Sequence, residues 1–454
     1  MRSSNLLKEF LVVRKATKMS LGEVQELQKE RLHNLVRYAR ENSPYYKELY
    51  KDLKSNPSLD SLPVTNKGTL MSNFDRWLTD PSIDLAKVDA FLKTNDNIGK
   101  YMDNKCIVNL TSGSTGTPCK VLHDKKTWNI MNAIYYSRLF SKTDLLKLGL
   151  KGAKYFTIEN PTFSTPYNSY RNQVLMTRFN KYRCKAVNVD APTSTIVSEL
   201  NQFNPSIFFA YPTSMQLLLP VIKSGKLKIK PNIIVLGGET CPPALRKELE
   251  ANFNSKILNT YSCTEASMIT TQCSEGHQHI NIDWVILEPV DKYNQPVPPG
   301  VMSHKVLLTN LSNYLQPFIK YEVMDRVMIY DEPCTCGNVM PYLYVEGRTD
   351  DILEFKGEKG LVGLSPMVLT DPAGLDGILQ FQLIQRSYHR LELRLLCQEG
   401  YDKIEHFNEA KKQLMAMLKN TLIENVEIVL SEELPKINPV SGKLRLVIKE
   451  MSEN

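Results

Sequence analysis

From Leu21 to Tyr50 apolar residues recur at helical spacing, with Leu32, Leu35, Val36 and Ala39 on one face and Ser43-Pro44 as the interruption. The pattern predicts a helix whose first job is packing. An earlier apolar stretch, Leu6 to Val13, is broken by Lys8 and Glu9 and reads as a surface helix. Between Asn109 and Val345 the pattern changes. Short apolar runs such as Ser206 to Ala210 and Ile233 to Leu236 are bounded by Gly and Pro and alternate with helical stretches such as Pro243 to Phe253. Runs of this kind are strands buried on both faces, which predicts an α/β domain. After Gly347-Arg-Thr-Asp-Asp351 the pattern restarts. Strand-like Leu379 to Ile384 and Leu391 to Leu396 precede a helix from Ile404 to Leu418 and strand-like Val426 to Leu430. A small α+β domain of about a hundred residues fits this tail.

The expected architecture is therefore a large N-terminal α/β domain of layered sheets and helices with a small mobile C-terminal α+β domain. The boundaries are 1–347 for the core, of which 1–95 is a mainly helical lead-in, 348–351 for a hinge and 352–454 for a lid. No internal repeat or low-complexity tract suggests a solenoid or a long linker.

Composition narrows the class. The chain has 454 residues, 42% hydrophobic and 23% charged, as in a soluble protein of more than one core. Its net charge of +7 includes no long Lys or Arg block, which argues against a nucleic-acid tail and leaves room for anionic ligands. No uncharged apolar segment approaches the roughly 18 to 20 residues that cross a bilayer, so a cytoplasmic location is expected, without a membrane or nucleic-acid partner. The nine cysteines are then reduced, and their odd number suggests metal binding or buried thiols before disulfides.

The clearest chemistry lies in Thr111-Ser-Gly-Ser-Thr-Gly-Thr-Pro118, which follows strand-like Cys106 to Leu110. Glycines let backbone N–H groups turn inward and hydroxyls add donors, so Thr111, Ser112, Gly113, Ser114, Thr115 and Gly116 can wrap a phosphate. No Gly-Lys-Ser/Thr follows, so this is not a Walker loop.

The octet resembles the signature loop of the adenylate-forming superfamily, which includes acyl-CoA synthetases, luciferases and adenylation domains. Further segments occur in that family's order. Gly237-Gly-Glu239 resembles the adenine-contact segment, which implies roles for Gly238 and Glu239. Tyr261-Ser-Cys-Thr-Glu265 resembles the motif in which a tyrosine stacks on adenine, a threonine contacts phosphate and a glutamate holds magnesium. Tyr321 to Asp325 resembles the segment whose aspartate binds the ribose, and Gly347 to Asp351 the hinge motif, whose arginine, here Arg348, also reaches the ribose. Pro439-Val-Ser-Gly-Lys443 resembles the motif whose lysine approaches the reacting carboxylate. The resemblance thus implies Lys443, Thr264 and Glu265 as catalytic residues, with ATP and Mg2+ bound.

Physical reasons point the same way. A carboxylate attacking the α-phosphate brings anion against anion, so a cation must bridge the phosphates and donors must absorb the growing charge. Glu265 is a suitable oxygen ligand for magnesium. Two departures stand out: many relatives carry a lysine after the loop's proline where this chain has Cys119-Lys120, and Ser262 stands where glycine is usual.

Within the superfamily the chain is most similar to phenylacetate-CoA ligases and the capsule-type and coenzyme F390 synthetase-like proteins, through Leu32 to Tyr50, Leu62 to Lys67 and Ala210-Tyr-Pro212. Cys334-Thr-Cys336 and the pair of Cys273 and His279 supply three thiolates and one imidazole, a set for structural tetrahedral zinc. The resemblance favours His279 over His277.

The implied reaction has two halves: an acyl-AMP forms with Lys443 in place, then the small domain turns about Asp350 and a thiol attacks. Gly357, Gly360 and Gly363 are expected to loosen that hinge. Coenzyme A is the first-choice acceptor; a carrier protein's phosphopantetheine is second and an amine or hydroxyl third. The expected partner is a small-molecule carboxylate, with an acidic carrier protein and a second copy of the chain as further candidates. Tyr211, Pro212 and Ser262 suggest a pocket for an aryl or medium-sized acid, or ordinary core packing. The rival from another class is a non-catalytic, zinc-stabilised nucleotide-binding protein.

Overall fold

The structure is a computed structural model that describes residues 5–111, 118–189, 191–239, 241–357, 360–364, 377–420, 423, 425–437 and 444–451. Loop residues Ser112, Gly113, Ser114, Thr115 and Gly116, and Lys443, fall outside the described residues.

The leading helical face forms as the periodicity predicts. A capping box of Ser20 and Glu23 starts the helix Leu21–Asn42, and Val24, Leu35, Val36 and Ala39 are its buried side. Ser43 ends it and caps the next helix, Pro44–Leu49, by accepting from the Tyr46 N–H. The first helix, Leu6–Ala16, is less peripheral than its sequence suggests. Val13 joins Ile130, Ala133, Ile134 and Trp284 in a small core, while Leu7 and Leu11 stay exposed.

Strands β1 (Cys106–Leu110) and β2 (Lys120–Asp124) form an antiparallel hairpin around the phosphate-loop segment. Next come β3 (Tyr155–Glu159), β4 (Cys184–Asn188), β5 (Ile207–Ala210), β6 (Ile233–Gly237) and β7 (Lys256–Thr260). They make a five-stranded parallel sheet in the order β4-β3-β5-β6-β7. The uniform apolarity of β6 now has its cause: Ile234 and Leu236 enter one core, Ile233 and Val235 the core on the opposite face.

The chain continues through β8 (Thr270–Gln272), β9 (Gln278–Ile280), β10 (Val285–Val290), β11 (Lys305–Asn310), β12 (Tyr321–Val323), β13 (Asp325–Tyr330) and β14 (Tyr342–Arg348). These build one sheet in the order β10-β11-β12 and another in the order β13-β14-β9-β8.

The C-terminal part has its own core. Strands β15 (Leu353–Gly357) and β16 (Gly360–Leu364) form a hairpin. A second sheet follows in the order β19-β18-β17-β20, from β17 (Ile378–Ser387), β18 (Arg390–Cys397), β19 (Glu427–Leu430) and β20 (Val447–Lys449). The helix Lys403–Asn420 packs Ala410, Leu414 and Leu418 against Leu383, Leu393 and Leu395. The glycines expected to loosen the hinge do something else. Gly357 pairs with Gly360 at the closing end of the β15–β16 hairpin, and a Cβ on Gly363 would lie 3.1 Å from Ile352. They serve strand pairing and close packing.

Candidate active site

In a parallel sheet all strands end on one edge, and ligands gather outside the carboxyl ends. Here Tyr211 and Pro212 follow β5, Gly238 and Glu239 follow β6, and Tyr261 to Glu265 follow β7. With Thr111, Asp325 and Arg348 they line one cleft of about 2220 Å3, which is also reached by Ile378 and Leu444 to Val447 of the C-terminal part.

The ends of the phosphate loop are pinned together. The Thr111 N–H donates to the Cys119 carbonyl (3.0 Å), and the Cys119 N–H donates to Thr111 Oγ1 (2.8 Å). Cys119 is buried in the main core, and Lys120 pairs with Asp89 at 2.7 Å. Neither residue replaces the lysine that many relatives carry.

The residues expected to hold the nucleoside converge from three elements. The Tyr261 hydroxyl donates to Asp325 Oδ2 (2.7 Å), and Arg348 Nη1 lies 3.8 Å from Asp325 Oδ1. The register of β13 and β14 places Asp325 opposite Arg348. Gly238 has φ +77°, in the left-handed region that glycine accepts without strain. Glu239 also serves the scaffold: its carboxylate accepts from the Thr213 N–H (3.0 Å) and hydroxyl (3.1 Å) in the first turn of the helix Pro212–Lys223. A negative charge at a helix N-terminus satisfies donors that would otherwise be unpaired.

Glu265 is buried, and burial raises its carboxyl above the usual range. Its Oε1 accepts from the Tyr321 hydroxyl (3.2 Å), and its backbone carbonyl accepts from the Asn310 amide (2.8 Å). Among the described residues it forms no ion pair. A buried, cation-deficient carboxylate in a cleft fits a magnesium ligand. Thr264 and Ser262 line the same cleft.

The acyl-side residues hold a feature the sequence reading missed. Tyr211 is buried, and its hydroxyl donates to Glu159 Oε2 (2.9 Å), whose Oε1 accepts from Thr157 (3.1 Å). Glu159 is 1% exposed at the carboxyl end of β3. The available signal was an acidic residue closing an apolar run, Tyr155 to Glu159, before Asn-Pro. Trp128, Tyr135, Tyr155 and Phe209 line this arm of the cleft, and Pro212 opens the helix behind it.

A separate cluster confirms the predicted proximity of four ligands. The donor atoms of Cys273, His279, Cys334 and Cys336 all lie within 4.8 Å of one another. Tetrahedral zinc with Zn–S of about 2.3 Å and Zn–N of about 2.0 Å sets sulfurs roughly 3.8 Å apart and sulfur and nitrogen roughly 3.5 Å apart. Cys273 and Cys334 sulfurs are 3.9 Å apart, and Cys336 Sγ is 3.3 Å from His279 Nε2. The other ring nitrogen of His279 lies 2.6 Å from the Met340 carbonyl, so Nδ1 donates and Nε2 points at the thiols. His277 stays outside the set, stacked on Tyr342 with Nδ1 3.2 Å from Cys334 Sγ. The residues fit zinc.

Residues 46–302 match the family described as AMP-binding enzyme. The chain belongs to this family. This AMP-binding enzyme is similar to Protein CapK of Staphylococcus aureus, 22% identical over 406 residues that cover 86% of this chain and 82% of CapK. It is also similar to a phenylacetate-coenzyme A ligase of Thermus thermophilus, 24% identical over 360 residues, 74% of this chain and 72% of the ligase. Among solved structures, 2-hydroxyisobutyryl-CoA ligase in the postadenylation state shares the fold, with a TM-score of 0.68, 19% identity and coverage of 95% of this chain and 90% of that one. Against the same ligase in the thioesterification state the TM-score is 0.56, at 19% identity with 95% and 91% covered. The AMP-binding enzyme thus has the fold of adenylate-forming ligases.

Proposed function

We propose that this enzyme activates a carboxylic acid with ATP as acyl-AMP and transfers the acyl group to coenzyme A. The observation that carries the reading is the convergence in one cleft of the Tyr261, Asp325 and Arg348 cluster with buried Glu265 and the Tyr211 arm. In the first half a carboxylate oxygen attacks the α-phosphorus and pyrophosphate leaves. In the second a thiol sulfur attacks the acyl carbon, losing its proton, and AMP leaves. Magnesium at Glu265 would supply positive charge to the phosphates. Asp325 and Arg348 would hold the ribose, Tyr261 the adenine, and Thr111 with its loop and Thr264 the phosphates. Lys443 would orient the carboxylate, delivered by a small C-terminal unit from residue 352 that turns about Asp350.

Relatives that are phenylacetate-coenzyme A ligases support coenzyme A as acceptor and an aryl or medium-sized acid as substrate. Zinc at Cys273, His279, Cys334 and Cys336 would be structural, since four protein ligands leave no position for a reacting water. The deciding test is ATP–pyrophosphate exchange across a panel of aryl, fatty and amino acids. Exchange with at least one acid is expected; protein that binds ATP yet exchanges with none sinks the reading.

A further inference from the structure

Because the sheet is parallel, the cleft occupies the carboxyl ends of its strands, and the amino ends form an opposite face. Three of the five segments leading into the strands there are cationic: Lys151 before β3, Lys181 and Arg183 before β4, and Lys226, Lys228 and Lys230 before β6, all exposed. The acidic groups nearby are already paired, Asp144 with Lys256 at 2.9 Å and Glu199 with Lys185. Large apolar side chains lie among these cations. Leu146 and Leu150, 66% and 81% exposed, belong to the helix Lys142–Leu150 that feeds β3, and Phe179 and Tyr182, 73% and 68% exposed, belong to the turn that feeds β4. The Asp144–Lys256 pair and the bond from Lys151 Nζ to the Lys230 carbonyl (3.1 Å) hold that helix across this end of the sheet.

Lysines near helix C-termini are favourable in their own right, but that gives no reason for four large apolar side chains to face water beside them. We propose that this face adsorbs on an anionic membrane surface, with the apolar side chains entering the headgroup region and the cations meeting acidic lipids. The charge selects this occupant over a second copy, whose identical face would repel it. The position selects it over an acidic carrier protein, whose thiol must reach the cleft at the other end of strands about 16 Å long. Adsorption in this orientation leaves the cleft open to ATP and coenzyme A. The absence of a spanning helix among the described residues is compatible with it, because adsorption needs no span.

The test is sedimentation of the full chain with phosphatidylcholine vesicles, with and without phosphatidylglycerol, at low and high salt. Uptake is expected only with the anionic lipid and should fall with salt. Lys226→Gln/Lys228→Gln/Lys230→Gln should weaken partitioning on the order of a hundredfold. Leu150→Glu/Phe179→Glu should reduce it as well. Both variants should keep the wild-type melting temperature and its rise with ATP and magnesium, since none of these residues lies in the cleft machinery. Wild-type protein left in the supernatant with anionic vesicles overturns the proposal. So does equal uptake by neutral vesicles, or wild-type partitioning by the triple lysine variant.

Discussion

Cys336→Ser probes the zinc cluster with little change in packing, because Cys336 is only partly buried and serine is nearly isosteric. Structural zinc contributes about 10 to 16 kcal/mol in small domains, so equal sharing among four ligands assigns roughly 2.5 to 4 kcal/mol to each. Loss of one ligand should then weaken zinc binding by about two to three orders of magnitude. The fold makes the loss felt. β9 meets β14 through only the pairs Tyr342–His279 and Leu343–Gln278, so a bound metal would reinforce a short ladder. Cys334 and Cys336 sit in the turn that joins β13 to β14, while Asp325 and Arg348 lie at the other end of the same hairpin. Metal content by mass spectrometry and thermal unfolding with and without chelator read the effect. Wild type purified without added metal should carry one zinc per chain and lose melting temperature on chelation; the variant should lack zinc, melt lower and bind ATP more weakly. A wild type that folds cooperatively without zinc, or a variant with full zinc and unchanged melting, refutes the reasoning.

Glu265→Gln should lower adenylation on the order of a hundredfold by removing the charge that holds magnesium, measured as exchange against magnesium concentration; unchanged magnesium dependence would contradict the assignment. The same substitution carries a pH signature. Burial raises the Glu265 carboxyl above 4.5, so its contribution to stability is full below that value and declines as pH rises through the raised folded one. Without magnesium and ATP the variant's melting temperature should therefore gain on wild type as pH increases from about 4.5, and parallel curves would count against it. Lys443→Ala should abolish adenylate formation and spare thioester formation from supplied acyl-AMP; equal loss of both steps would remove its assigned role. Asp283 is fully buried, with Arg138 Nη1 and Nη2 at 2.8 and 2.7 Å and Arg31 at 3.5 Å. Asp283→Ala should leave both guanidiniums without their counter-charge and cost about 3 to 5 kcal/mol, seen as a lower urea midpoint at unchanged slope.

Strands buried on both faces were easy to read, since β5 and β6 leave no polar position to confuse the pattern. The four candidate zinc ligands were legible for a different reason: short spacings within each pair constrain geometry locally, the resemblance chose His279 over His277, and only the meeting of the two pairs needed the fold. Glu159 was not legible, because a buried carboxylate looks in sequence like an exposed strand end until neighbouring β5 brings Tyr211 to it, beside Thr157 of its own strand. For Glu239 the fold adds a contact its motif does not show: its carboxylate accepts from Thr213 at the start of the helix after β5, while the residue lines the cleft. The glycines after residue 356 suggest looseness because glycine permits both mobility and close pairing; the β15–β16 register shows the pairing.

These partners also restrict where positive charge for the triphosphate can come from. The helix N-terminus after β5 already faces Glu239, Lys120 is held by Asp89, and Arg348 faces Asp325. Arg445, which lines the cleft from the C-terminal part, pairs with Asp351. Lys223 pairs with Glu248 and Arg246 with Glu250, so beyond Lys67 and Lys247 at the cleft wall the positive charge proposed to offset four phosphate oxyanions would come from a magnesium ion at Glu265. Grip on ATP by backbone and hydroxyl donors alone leaves most of that charge unscreened in a partly desolvated cleft. ATP binding without magnesium should consequently be weak in the wild type. Lys443→Ala should leave the affinity for magnesium-ATP largely intact while removing the chemistry, because the lysine would orient the reacting carboxylate and act on charge that develops at the α-phosphate only in the transition state.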